Sequence, residues 1–372
     1  MGEVWAAERD GTMCAVKVLS GPPGSPVVEA VRREVRLGEI IADHPGVVGV
    51  RRVVEHAGAL HLEMDLVHGP NLSDVLEGHK RVRGTALPTS VAVPWMAEVL
   101  RTLEWVGQTV SPRAPASFLH RDIKLANLLL DPSGLVRVTD FGIARGADTL
   151  DFQVTGTGII KGAPRFMAPE LVTTAPTDAR ADQFSVGAVL FELVTGEPLY
   201  DGRSMARILD QVARASVGER LERLGSTPQL AVVLSRLMRK NADDRYPDHG
   251  AAAAALDSLP LHGPGVDHLL AELLTYWAAP DPAVEPAAQG ADWGDPESTF
   301  ELTADLATEE PGLSTQEIGG PPPPEDTAPE APPVLVRRNE VLPKRSGCGC
   351  PLAAGVALTA ISLGCALILV AL

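Results

Sequence analysis

The sequence predicts an α+β chain with its strands first, its helices after, and a tail that builds no core. Three observations carry this. Val4 to Arg9 and Met13 to Leu19 are short β-like runs around an Asp10-Gly11 turn, and Leu60 to Val67 alternates apolar and polar residues. From Val91 to Gln108, apolar Trp95, Met96, Val99, Leu100, Leu103 and Val106 recur at three- and four-residue spacing, the period of a buried helix. After Leu259 the composition turns to Pro, Ala and acids, until an uncharged stretch at Pro351 to Leu372. The expected organisation is therefore a main domain over 1–259, a short helix over 260–277, an acidic Pro/Ala-rich disordered linker over 278–347 and an apolar helix over 351–372.

Taken in order, the first hairpin is followed by a Gly/Pro-rich loop, Gly21 to Pro26. Val27 to Ile41 reads as a helix charged on one face by Glu29, Arg32, Arg33, Glu34 and Arg36. Gly38 costs that helix roughly 1 kcal/mol against Ala and is expected to thin its packing. A second helix starts near Leu72, with Asn71 or Ser73 as its cap. Leu128 to Leu130, the turn Asp131-Pro132-Ser133-Gly134 and Leu135 to Val138 read as strand, turn, strand. Leu269, Leu270, Leu273, Leu274 and Trp277 give Val266 to Trp277 one apolar face, suited to docking on the main domain.

Charge and cysteine usage exclude some classes. The net charge is −16, and from Leu261 to Gly347 there are 16 acidic against 4 basic residues. The main domain is close to balance, so non-specific nucleic-acid binding is not expected. Four cysteines, three of them near the C-terminus, make no disulfide framework, which suits a reducing, cytosolic setting. No signal peptide opens the sequence.

The chemistry is concentrated in His120-Arg-Asp-Ile-Lys-Leu-Ala-Asn127, followed by Asp140-Phe141-Gly142. An acid, a lysine and an amide at fixed offsets, then a second acid beyond a strand pair, are what phosphoryl transfer needs. Asp122 can accept a hydroxyl proton, Lys124 can neutralise the moving phosphate, and Asn127 and Asp140 can hold Mg²⁺. In this order and spacing the stretch resembles the catalytic and metal loops of Hanks-type (eukaryotic-like) serine/threonine protein kinases, bacterial members in particular.

The resemblance implies a two-lobed fold, with a small β-rich lobe and a large helical lobe, using ATP and Mg²⁺. It makes Gly2 the last glycine of the phosphate loop, Val4 the roof over the adenine and Lys17, in Ala15-Val16-Lys17, the contact to the α- and β-phosphates. The first strand and first two glycines of that loop have no counterpart, so Met1 is read as an internal methionine. Glu34 would pair with Lys17, ahead of Glu39. Met64 would be the gatekeeper, Asp65 and Val67 the adenine-edge contacts, with Ala15 and Leu129 closing the slot. Arg121 would receive a phosphate carried by Thr155 or Thr157. Glu170 would form a buried ion pair with Arg245, and Asp182 would brace the catalytic loop. Ala163 stands where the family usually has threonine.

Lys124 points to the serine/threonine side of the family, so the partners implied are proteins with Ser/Thr acceptors, with homodimerisation for trans-autophosphorylation. The 22 uncharged residues 351–372 would span roughly 33 Å as a helix. Arg337, Arg338, Lys344 and Arg345 before them fit a cytoplasmic flank, so the expectation is a single-pass anchor in the cell membrane with the kinase domain in the cytoplasm. Cys348 and Cys350 are candidates for acylation. The competing reading is a membrane-tethered pseudokinase or interaction module, resting on Gly38, Ala163 and the incomplete phosphate loop. A related small-molecule phosphotransferase is disfavoured by Ala168-Pro169-Glu170 and the threonine-bearing loop.

Overall fold

The computed structural model describes residues 3–9, 11–20, 35, 37–56, 59–112, 118–141, 164–173, 175–202, 204–225, 227–275 and 334–336. A β-sheet lobe precedes a mostly helical one. The chain divides into Met1–Arg338 and Asn339–Leu372, and the second unit lies wholly outside the described residues, as does the apolar stretch 351–372. Among the described residues no helix is long and apolar enough to cross a membrane.

Strands β1 (Glu3–Arg9) and β2 (Thr12–Ser20) form the expected hairpin, in register Val4 to Lys17 and Arg9 to Thr12. The turn needs Gly11, whose φ is 76°. Strands β3 (Val50–His56) and β4 (Ala59–Asp65) extend the sheet. The alternation of β4 buries Leu60, Leu62 and Met64 and leaves the residues between them half-buried. Cys14, on β2, is buried with Ala7 and Val16, and burial pushes its thiol pKa up. The sheet order is β3-β4-β2-β1-β7, where β7 is Val334–Val336, antiparallel to β1. Strand β7 falls inside the stretch 278–347 and is all of it that the structure describes; Val-Leu-Val favours an extended backbone, and the edge of β1 supplies the hydrogen-bonding partner.

Residues 37–41 are helical and pack on the sheet. Gly38 has a second role on the sheet side of this helix. A methyl group on Gly38 would lie 2.8 Å from the Val50 Cβ, so the glycine lets the helix approach β3 closely. Gly38→Ala gains about 1 kcal/mol of helix propensity but must displace Val50, an overpacking cost of about 1–3 kcal/mol. The expected net result is a lower midpoint in thermal unfolding; a raised midpoint would restore the loose-packing view.

The large lobe contains α1 (Leu72–Arg83), α2 (Thr89–Val110), α3 (Arg180–Thr195), α4 (Met205–Arg214), α5 (Gly218–Leu221), α6 (Pro228–Leu237), α7 (His249–Asp257) and α8 (Val266–Thr275). Of the two caps weighed for α1, the structure uses Asn71, whose Oδ1 accepts from the Ser73 and Asp74 amides. Helix α2 buries the apolar residues read from its period, and the predicted strand pair is β5 (Leu128–Leu130) with β6 (Val136–Val138). Helix α8 buries Leu269 and Leu273 on this lobe. Arg83 clamps it, donating to both Glu272 carboxylate oxygens at 2.5 and 2.7 Å, while Ser90 Oγ donates to the Pro264 carbonyl at 2.6 Å.

His249, at the start of α7, is buried, and burial lowers its pKa to about 4. The unfolded chain takes up this proton near pH 6.5 and the folded one only near 4. Stability linked to His249 is therefore complete above the upper value and is lost as pH falls through that window. His249→Gln is expected to flatten the acid limb of the Tm–pH profile between about pH 6.5 and 4 without changing its slope above pH 7. An unchanged acid limb would show that His249 is not a source of that loss.

Candidate active site

The segment after α2 is fixed from below by one carboxylate. Asp182, at the start of α3, accepts from the His120 amide at 2.7 Å and the Arg121 amide at 3.0 Å. Its burial is nearly complete and drives its pKa up to about 7, against the pull of those two N–H groups. His120 is fully buried, and burial lowers its pKa to about 4. Its Nδ1 accepts from the Asp122 amide at 3.3 Å, which puts the proton of the neutral ring on Nε2, facing the Thr139 carbonyl at 3.2 Å. The Phe141 ring lies against it, centroids 4.8 Å apart. One buried imidazole thus ties the catalytic loop to the Asp140 segment.

Above this support three side chains converge. Asp122 Oδ2 accepts from Lys124 Nζ at 2.7 Å and from Asn127 Nδ2 at 2.9 Å, and Asn127 Nδ2 also donates to the Asp122 carbonyl at 2.9 Å. Asn127 uses its amide nitrogen on Asp122, so its side-chain oxygen is the group left for a cation. Lys17 Nζ donates to Asp140 Oδ1 at 2.6 Å, joining β2 to the segment after β6. Arg121 (φ 67°) and Asp140 (φ 58°) hold left-handed backbone conformations, uncommon for residues with a Cβ, at the two ends of the chemistry.

Ala15, Met64, Val67 and Leu129 belong to one apolar cluster with Val48, Val50, Leu60 and Leu62. Val4 is Lys17's register partner on β1 and is 40% exposed. The Asp65 amide donates to the Gly49 carbonyl, and the Val67 carbonyl accepts from the Gly69 amide, both at 2.9 Å. The Asp65 carboxylate is held by Arg51 at 2.7 and 3.0 Å. Gly69 is required where the chain crosses β5, since a Cβ there would lie 1.8 Å from the Leu130 carbonyl oxygen. Behind Met64 a cavity of about 10 Å³, lined by Gly38, Ile41, Val50 and Phe141 among others, has room for one water at most.

Farther down, Arg245 donates to both Glu170 oxygens at 2.6 and 2.8 Å, and both residues are buried. Arg245 also donates to the Arg239 and Arg180 carbonyls, both at 2.9 Å. The structure thus brings Lys17, Asp122, Lys124, Asn127 and Asp140 to one side, with Ala15, Met64, Val67 and Leu129 in the apolar cluster between the lobes. Gly2, Glu34, Thr155, Thr157, Gly142 and Ala163 lie outside the described residues. Sequence reasoning missed Arg180, which pairs with Asp178 at 2.7 Å and Asp243 at 2.8 Å and offers its carbonyl to Arg245. The Asp178-Ala-Arg180 spacing was its available signal. The direct Lys17–Asp140 contact was also missed; no local pattern reveals it.

Among the described residues no cluster of three or more His, Cys, Asp or Glu could hold a metal alone. Asn127 and Asp140 are nonetheless hard oxygen donors, suited to Mg²⁺ that takes its remaining ligands from phosphates and water.

Residues 1–255 match the family model described as protein kinase domain. The chain is 31% identical to serine/threonine-protein kinase PkaA of Streptomyces coelicolor over 76% of its own length and 52% of that protein's. It is 33% identical to the probable serine/threonine-protein kinase CE0033 of Corynebacterium efficiens, covering 70% of this chain and 39% of that one. It is 32% identical to serine/threonine-protein kinase PknA of Mycobacterium tuberculosis, covering 54% and 46%. The chain thus spans about half or less of the length of these relatives. With the family model matched from the first β-hairpin into α7, and the catalytic cluster lying inside the match, this chain belongs to the protein kinase family.

Proposed function

We propose that the protein is a serine/threonine protein kinase that transfers the γ-phosphate of ATP to protein hydroxyls. One observation carries the reading: Asp122, Lys124 and Asn127 form a single hydrogen-bonded cluster beside the Lys17–Asp140 pair. Asp122 orients the acceptor hydroxyl and takes its proton. Lys124, already on Asp122, balances charge on the transferring group. Asn127 Oδ1 and the Asp140 carboxylate would hold Mg²⁺, whose chemistry there would be to offset the negative charge of the nucleotide's phosphates. Lys17, now on Asp140, would be the residue to meet the α- and β-phosphates. Because the Asp65 amide and the Val67 carbonyl are engaged within the chain, these residues meet the adenine edge through the opposite groups, the Asp65 carbonyl and the Val67 amide. Similarity to proteins named serine/threonine kinases supports the choice of acceptor.

Incubating the full chain with Mg²⁺, ATP and a Ser/Thr-rich protein is expected to yield phosphoserine and phosphothreonine, and Asp140→Ala to abolish it. No transfer by the wild type, with ATP bound normally, would favour an interaction module. Two regulatory features belong to the same proposal. A second copy phosphorylates Thr155 or Thr157, whose added charge pairs with Arg121, and residues 351–372 anchor the chain in the cell membrane with the kinase domain in the cytoplasm. The absence of charge over 351–372 and the basic residues before it support the anchor; recovery in the soluble fraction after membrane sedimentation would remove it.

A further inference from the structure

The register between β3 and β4 slips by one residue beside the site. Val50 pairs with Met64 and Arg52 with Glu63, so Arg51 is the extra residue of a β-bulge. A bulge re-aims the side chain it carries. Arg51 is turned onto Asp65, donating from Nε to Oδ1 at 2.7 Å and from a terminal nitrogen to Oδ2 at 3.0 Å. The same guanidinium donates to the Asp43 carboxylate at 3.3 Å and to the Ala42 carbonyl at 3.4 Å. The Gly49 amide donates to Asp65 Oδ2 at 3.2 Å, and the Gly49 carbonyl accepts from the Asp65 amide at 2.9 Å. A Cβ on Gly49 would lie 3.0 Å from that Oδ2, so the glycine admits the carboxylate.

The geometry points to Arg51 as a positioning residue that sets the preference for adenine over guanine by holding Asp65. This rests on the nucleotide site proposed above, in which the Asp65 carbonyl and the Val67 amide meet the base. Fixing the Asp65 amide and carboxylate fixes the direction of the carbonyl that shares their Cα. Adenine offers that carbonyl an amino donor and offers the Val67 amide a ring-nitrogen acceptor. Guanine has an oxo group and a ring N–H in the same places, so each contact sets like against like. The frame that holds Asp65 is itself anchored. The Val48 amide donates to the Val138 carbonyl at 2.9 Å, the Val138 amide donates to the Gly46 carbonyl at 2.8 Å, and the His44 ring lies 4.4 Å from that of Trp105 on α2. Arg51 thus ties Asp65 to a segment fastened to the large lobe just before Asp140. The Arg51 and Asp65 side chains are 45% and 23% exposed, so the pair adds little to global stability and its effect is local.

The test measures ATP and GTP binding to the full chain by titration calorimetry, with the melting temperature of each variant as a folding control. Arg51→Gln is expected to weaken ATP binding about five- to tenfold and GTP binding less than about twofold, narrowing the preference for ATP. Arg51→Lys keeps the charge but loses the two-pronged contact, and is expected to fall between wild type and Arg51→Gln. It carries the test if Arg51→Gln does not fold. Because the arginine acts through one carboxylate, Arg51→Gln combined with Asp65→Asn is expected to lose less than the product of the two single effects. A wild type that does not prefer ATP, an unchanged preference in a folded variant, an equal loss of both nucleotides, or single effects that multiply in the double variant would each overturn the assignment. Binding is read without transfer, so a chain that binds ATP selectively and transfers nothing would remove the proposed kinase activity and leave the role of Arg51 standing.

Discussion

Asp122→Asn is expected to lower the rate of phosphoryl transfer by about 10²–10⁴-fold while leaving ATP affinity within a few-fold. The substitution is nearly isosteric, and the new amide oxygen can still accept from Lys124 and Asn127, which now meet Asp122 Oδ2 at 2.7 and 2.9 Å. The cluster therefore stays assembled and the loss is chemical: the side chain can no longer take the hydroxyl proton. Single-turnover kinetics with a protein acceptor, alongside nucleotide binding measured separately, distinguish this from a folding defect. A rate within about threefold of wild type, under 1 kcal/mol of transition-state free energy, would take the proton-accepting role away from Asp122.

The largest effect on stability is expected at Arg245. Its guanidinium is fully buried and its carboxylate partner, Glu170, is 6% exposed. Arg245→Met leaves that carboxylate buried without its cation, a loss of about 3–5 kcal/mol. For a domain of this size the corresponding fall in Tm is roughly 6–20 °C. Adding Glu170→Leu removes the stranded charge, and the double variant is expected to regain much of the loss. Thermal unfolding of the two single variants and the double variant completes the cycle. A double variant as unstable as the sum of the singles would show that the residues act separately.

The parts of this fold that were legible in the sequence are those that local physics determines. The β4 alternation, the α2 period and the Asp10-Gly11 turn each declare themselves within a few residues, because side-chain period and φ > 0 are local properties. The catalytic loop was legible for another reason: its acid, lysine and amide lie within six residues and are bonded to one another. What escaped depends on distant backbone. Gly38 looked like a defect until Val50 was seen against it. The Lys17–Asp140 pair joins residues 123 positions apart. Strand β7 is three residues in a Pro-rich acidic stretch, and its pairing partner lies at the opposite end of the sequence.

Cys14 offers a clock for the same hairpin. Its side chain is buried beside Ala7 and Val16, so reagents reach the sulfur only when its neighbours on that face of the sheet move apart. A thiol with a raised pKa, closed in by its neighbours, reacts with iodoacetamide at a rate set by how often they uncover it. In a chain whose other cysteines are serine, the labelling half-time reads how often the packing on that face of the strand carrying Lys17 loosens.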